Sequence, residues 1–131
     1  MNQIRVILVD DHLVMRRALS LYIAECTDFK VVAEASDGEA AVALARKLKP
    51  NVILMDYSMP KMNGLEATRI IHSELPQICI IGLSMYQESE IEAAMLKAGA
   101  ADYFTKSGDI DHLMSILNGC GCMEEQELYN D

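Results

Sequence analysis

Five short apolar runs, set apart by longer stretches of helical period, constrain this chain more than any other feature. They read IRVILV (4–9), KVVAEA (30–35), NVILMD (51–56), ICIIGLS (78–84) and DYFTK (102–106). The first, third and fourth are nearly continuous Val, Ile, Leu and Met, as central strands of a parallel sheet must be when helices cover both faces. The second and fifth are mixed, which suits edge strands. The spacing predicts helices over 13–26, 38–48, 64–74, 88–98 and 109–118. The first of these sets Met15, Leu19, Tyr22 and Ile23 against Leu13, Arg16, Arg17, Ser20 and Glu25, with Leu13 exposed or near a site. In the second, Ser36 or Asp37 can cap, Glu39 can reach back, and Pro50 forbids continuation. The glycine of KAGAADY stops the fourth. Strands joined by connections this short require right-handed crossovers, so the predicted architecture is α/β, a doubly wound five-stranded parallel sheet built as (βα)5.

The chain has 131 residues, the length of one domain that needs no disulfide staple. Its 51% hydrophobic and 24% charged residues are the balance of an ordinary globule. No apolar run approaches the ~18 residues that span a bilayer. The N-terminus MNQIRVILVDD meets acid before it could form a signal-peptide core, so a cytoplasmic protein without membrane contact is expected. Twenty acidic against eleven basic residues give a net charge of −9, which repels a phosphate backbone and argues against direct nucleic-acid binding by this segment. Cys26, Cys79, Cys120 and Cys122 follow no metal-ligand spacing, and reduced thiols are expected.

In an open sheet of this kind, ligands bind beyond the carboxyl ends of the strands, at the switch in strand order. Those ends carry Asp10 and Asp11 after strand 1, Asp56 at strand 3, Ser84 at strand 4 and Lys106 at strand 5, each polar after an apolar run. Two carboxylates about 4 Å apart repel by roughly 4 kcal/mol at the effective dielectric of a protein surface. A hard divalent cation offsets this: Mg2+ takes oxygen ligands, typically one or two carboxylates with phosphate oxygens and water. Asp56 then has two roles open to it, ligand and nucleophile, because a carboxylate can accept a phosphoryl group as an acyl phosphate. Lys106 would neutralise that group, and the Ser84 hydroxyl would donate to one of its oxygens. Taken singly, each has a plainer reading: Asp11 as a helix cap, Asp56 as a turn acid ahead of Pro60, Ser84 as a strand-end hydroxyl, Lys106 as a surface lysine. Their joint placement at four strand ends is what chance would rarely produce.

The segments VILVDDHLVMRRAL, EASDGEAAVALA, VILMDYSMPKMNGLEATR and AGAADYFTKS, in that order, resemble the receiver domain of two-component response regulators over residues 4 to about 118. They are most similar to receivers that precede a LuxR-type helix-turn-helix domain. The resemblance implies a flavodoxin-like sandwich with strand order 2-1-3-4-5, a receiver over 1–119 and an acidic tail or linker remnant over 120–131. It implies that Asp56 takes a phosphoryl group from the phosphohistidine of a histidine kinase. It makes Asp11 and Asp56 direct Mg2+ ligands with the backbone carbonyl of Ser58, and Asp10 a partner acting largely through water. Ser84 and Lys106 fall on the family's Ser/Thr and Lys positions. Tyr103 falls on the aromatic whose inward or outward rotamer reports phosphorylation and relays it to the face of helix 4, strand 5 and helix 5.

Such a chain is a switch rather than an enzyme, beyond its own phosphotransfer and autodephosphorylation. Its partners would be a histidine kinase or phosphotransfer protein, an output domain or downstream protein, and a second copy in a homodimer. Ser107 stands where many receivers have proline. Ser58 and Tyr86 flank the site where side chains guide the hydrolytic water, which leaves the lifetime of the phosphorylated form open.

Two other classes compete. An aspartyl-phosphate hydrolase also combines Asp, Mg2+ and Lys, but Asp56-Tyr57-Ser58 lacks its second acid. A flavin-binding module shares the sheet topology, but no Ser/Thr/Gly-rich phosphate loop follows strand 1. The nine methionines read as adaptable packing. Gly64 relieves the turn after PKMN, and His12 reads as a rim residue rather than a metal ligand.

Overall fold

In the computed structural model, which describes residues 3–26, 28–85, 88–106 and 111–119, all five apolar runs are strands. They are β1 (Ile4–Val9), β2 (Phe29–Ala35), β3 (Val52–Asp56), β4 (Cys79–Ser84) and β5 (Asp102–Thr105). All pair in parallel, in the order β2-β1-β3-β4-β5. The two mixed runs are therefore the edges and the three unbroken ones the centre, as burial on both faces demands. The helices are α1 (Leu13–Ala24), α2 (Gly38–Leu48), α3 (Gly64–Glu74) and α4 (Ser89–Ala98), with α5 over 111–119. The first two positions of the predicted fifth helix, 109 and 110, lie outside the described residues, as do Tyr86, Ser107 and the 120–131 tail with Cys120 and Cys122.

Strand alternation assigns each helix to a face. Ile7 and Val9 of β1, with Ile53, Met55 and Ile80, form one core with Ala41, Val42 and Ala45 of α2 and Ala67 and Ile71 of α3. Val6 and Leu8, with Val52, Leu54, Ile81 and Leu83, form the other with Leu19 and Ile23 of α1 and Leu113 and Leu117 of α5. Each such Val, Leu or Ile removed from water contributes about 1.5–3 kcal/mol before the entropy of ordering it is subtracted. The sheet thus lies between two helical layers, and the order reverses between β1 and β3, which opens a crevice at their carboxyl ends.

Local signals hold in detail. Asp37, not Ser36, caps α2, its side chain accepting from the Ala40 amide at 2.8 Å. Asn63 caps α3 in the same way, accepting from Glu66 N at 2.9 Å. Gly99 ends α4. Among the described residues, no helix is long and apolar enough to cross a membrane.

One cysteine departs from expectation. Cys26 is a free thiol, whereas Cys79, at the start of β4, is disulfide-bonded, so reduced thiols throughout do not hold. A disulfide needs its two Cα atoms within about 7 Å, a proximity that spacing along the chain does not reveal.

Candidate functional site: an acidic pocket closed by a buried lysine

The backbone ladder runs one residue past the strands where the polar residues begin. Asp10 N donates to Ala35 O at 3.0 Å, Tyr57 N to Leu83 O at 3.0 Å and Lys106 N to Ser84 O at 2.7 Å. These bonds hold Asp10, Asp56, Ser84 and Lys106 at one end of the sheet, rigidly enough to be a site. All four are buried, a placement almost never found for Asp and Lys unless they are paired.

The pairing is explicit. Lys106 Nζ lies 2.8 Å from Asp10 Oδ2 and 3.2 Å from Asp56 Oδ1, with the side chains of all three nearly inaccessible to water. Asp10 Oδ1 accepts from the His12 amide at 2.9 Å. Asp11 points outward, its side chain 31% exposed, with Oδ1 at 3.1 Å from His12 Nδ1. Asp10, Asp11, His12 and Asp56 each offer a ligand atom within 4.8 Å of the others. Asp56 Oδ2 is buried without a hydrogen-bond donor among the described residues.

One cation against three carboxylates leaves the pocket negative. Burial, above all, together with the charge of Asp10, raises the Asp56 carboxyl from its ordinary 3.8 to about 7, although Lys106 pulls it the other way. An orphaned carboxylate oxygen among carboxylate neighbours is the donor set a hard divalent cation prefers, so these residues fit Mg2+.

Other residues shape the pocket. Ser58 is exposed in the β3–α3 loop, two positions past Asp56. That loop is pinned where Gly64 N donates to Tyr57 O at 2.8 Å, and a Cβ on Gly64 would collide with the Asp56 carbonyl oxygen. Gly64 is therefore required by close backbone approach, which refines its reading as turn relief. Tyr103 is buried against β4, opposite Gly82 in the register. Its phenol is raised by burial first, with the Ser84 hydroxyl opposing.

Arg16 is the residue that sequence reasoning misplaced. Its side chain is only 16% exposed; Nη1 donates to the Asp10 carbonyl at 2.6 Å and Nε to Glu34 at 2.9 Å. It ties the β1–α1 loop to β2 and fixes the backbone that carries the acid pair. Its signal is faint: a cation six positions after Asp10 on a helix face expected to be solvated.

A doubly wound α/β sandwich with acids at the switch point and a buried lysine from the last strand defines, as a class, a module whose pocket suits a cation or a phosphoryl group. The chain belongs to the response regulator receiver domain family, whose model matches residues 6–118. It is 40% identical over 116 residues to the transcriptional regulatory protein DegU of Brevibacillus brevis, covering 88% of this chain and 49% of that one. A two-component response regulator of the LuxR family from Aurantimonas sp. SI85-9A1 superposes with a TM-score of 0.82 at 34% identity, covering 90% of this chain and 87% of that one. RcsB from Salmonella enterica serovar Typhimurium, solved bound to promoter rprA in the presence of phosphomimetic BeF3-, gives 0.81 at 27% identity, with 89% and 67% covered. The kinship to LuxR-group regulators implied by the motifs is thus found. The chain spans about half the length of the curated relatives it matches.

Proposed function

We propose that this chain is a phosphorylation switch in which Asp56 accepts a phosphoryl group from a histidine kinase or phosphotransfer protein. The observation that carries the reading is Asp56 Oδ2: a buried carboxylate oxygen with no donor, on a side chain whose other oxygen faces Lys106 at 3.2 Å. Oδ2 is free to attack phosphorus. The new O–P bond forms as the P–N bond to the donor imidazole breaks, and the imidazole leaves with the bonding pair. Lys106 is close enough to follow the developing charge from the carboxylate onto the phosphoryl oxygens, and the Ser84 hydroxyl donates to one of them.

Asp11, Asp56 and the Ser58 carbonyl would hold Mg2+ directly and Asp10 through water. When bound, the ion offsets the charge of the carboxylates and of the phosphoryl oxygens. The division between the two acids is supported by their contacts: both Asp10 oxygens are engaged in the buried interior, by Lys106 and the His12 amide, while the Asp11 side chain is 31% exposed and meets the solvent-facing His12 ring through one oxygen. Asp11→Asn should therefore cost more phosphotransfer than Asp10→Asn, measured as the initial rate of labelling; the reverse order would reassign them.

The switch runs through Ser84 and Tyr103. Tyr103 packs beside β4, opposite Gly82, and phosphorylation would hold its ring inward by engaging Ser84, and so reshape the face of α4, β5 and α5. Ser84→Ala should keep phosphorylation but lose this coupling; normal partner binding by the phosphorylated variant would refute it. The chain acts as receiver over 1–119, followed by an acidic tail over 120–131. It works in the cytoplasm, without membrane contact, catalysing only its own phosphotransfer and autodephosphorylation. A DNA-binding output domain or downstream protein, and a second copy in a homodimer, are the further partners this reading assigns. The test is incubation with Mg2+ and acetyl phosphate, followed by a phosphate-affinity gel. Wild type should show an acid-labile shift that Asp56→Asn lacks; an unchanged shift in the variant would overturn the assignment.

A further inference from the structure

His12 sits at the mouth of the pocket, and the proposed phosphotransfer leaves it without a task. Its ring is 56% exposed, yet Nδ1 lies 3.3 Å from Asp10 Oδ1 and 3.1 Å from Asp11 Oδ1. Ligands bound to one divalent ion at about 2.1 Å stand about 3.0–3.4 Å apart along a coordination edge, so the 3.1 Å between His12 Nδ1 and Asp11 Oδ1 suits a shared ion. Asp56 supplies a third donor, buried, 3% exposed, with Oδ2 unpartnered. Together the four ligand atoms lie within 4.8 Å of one another. A modest contraction would close them around an ion, and the tautomer with its proton on Nε2 offers the Nδ1 lone pair to it.

From this geometry we infer that the pocket is also a mixed nitrogen and oxygen site for a transition-metal dication such as Ni2+ or Zn2+, held by His12 Nδ1 with Asp11 and Asp56. Mg2+ has no use for an imidazole, whereas Ni2+ and Zn2+ favour one and bind a given site more tightly than the earlier ions of the first row. His12 thus discriminates between ions that the carboxylates alone would separate poorly. A transition ion seated there shares Asp11 and Asp56 with Mg2+, so it would compete with the ion that supports phosphorylation. This inference rests on the proposed Mg2+ site and extends it to a second class of ion.

The test is calorimetric titration of the full chain with Ni2+ and, separately, Mg2+, for wild type, His12→Ala and Asp56→Asn, with amide NMR spectra recorded during the Ni2+ series. Because the His12 ring is half in solvent, its truncation leaves the cores intact. Loss of one imidazole ligand should weaken Ni2+ by at least about tenfold. Mg2+ affinity should change by less than about twofold. Paramagnetic Ni2+ should erase the amide signals of residues 10–13 and 56 in wild type before any others. Equal Ni2+ affinity in wild type and His12→Ala would overturn the inference, and so would an equal loss for both ions, which would make His12 a support of the pocket. Failure of Mg2+ to bind wild type, with Ni2+ binding still dependent on His12, would sink the Mg2+ reading and leave the transition-metal site standing.

Discussion

Lys106 stands between two buried carboxylates, 2.8 Å from Asp10 and 3.2 Å from Asp56, and removing it would leave both facing each other in a dry pocket. Lys106→Met should therefore destabilise the chain by about 3 kcal/mol at pH 8 in chelator, read by urea unfolding. The loss should shrink as acid protonates the pair; a pH-independent loss would mean that Lys106 acts by packing alone. Asp56 makes a complementary statement about pH. Its carboxyl is raised from 3.8 to about 7, so between those values the folded chain holds a proton that the unfolded chain has released. Stability should fall across that window as pH rises, by a few kcal/mol, and then level off. Asp56→Asn removes the penalty: without metal it should be more stable than wild type at pH 8 and converge with it near pH 4. Parallel curves would contradict this. The acids, Ser84 and Lys106 were readable in the sequence because each ends an apolar run and so must emerge at one edge. Arg16 was not, because its partners, the Asp10 carbonyl and Glu34, become neighbours only when β1 and β2 pair.

The strands were the most legible elements, since a segment buried on both faces has no polar positions to spare, and the mixed composition of β2 and β5 marked them as edges. The register was not legible. Ile7 pairs with Ala33 where Val6 pairs with Val31, an irregularity at Val32 that no residue type announces. The disulfide at Cys79 was hidden for the same reason, since it depends on proximity in space. Two predictions belong to the elements. Asp37→Ala removes the α2 cap, which satisfies the Ala40 amide at 2.8 Å, and should cost about 1 kcal/mol of unfolding free energy. Gly82 makes room for Tyr103: a Cβ there would stand 3.2 Å from Met95 Cε and 3.4 Å from Tyr103 Cδ1. Gly82→Ala should cost about 1–2 kcal/mol and push Tyr103 outward, read from its ring resonances. A variant with unshifted Tyr103 signals would show that Met95 gives way instead.

Taken as one body, the molecule carries a charge of −9 and concentrates carboxylates at a single sheet edge, an arrangement that suits a cation and opposes the grip of a polyanion. At physiological salt the chain should not retard DNA in a gel, phosphorylated or not; retardation would assign it a contact that its charge opposes. Its two cores flank a sheet that carries the acid pocket at one end, and in the proposed switch β4 and β5 would connect that pocket to the α4 side through Ser84 and Tyr103. All of this turns on which residue carries the phosphoryl group. Borohydride reduction of the phosphorylated chain converts an aspartyl phosphate to homoserine, and peptide mass spectrometry then reads its position. The account predicts homoserine at position 56 and nowhere else; homoserine at position 10 or 11, or none in a chain that has taken up phosphate, would contradict it.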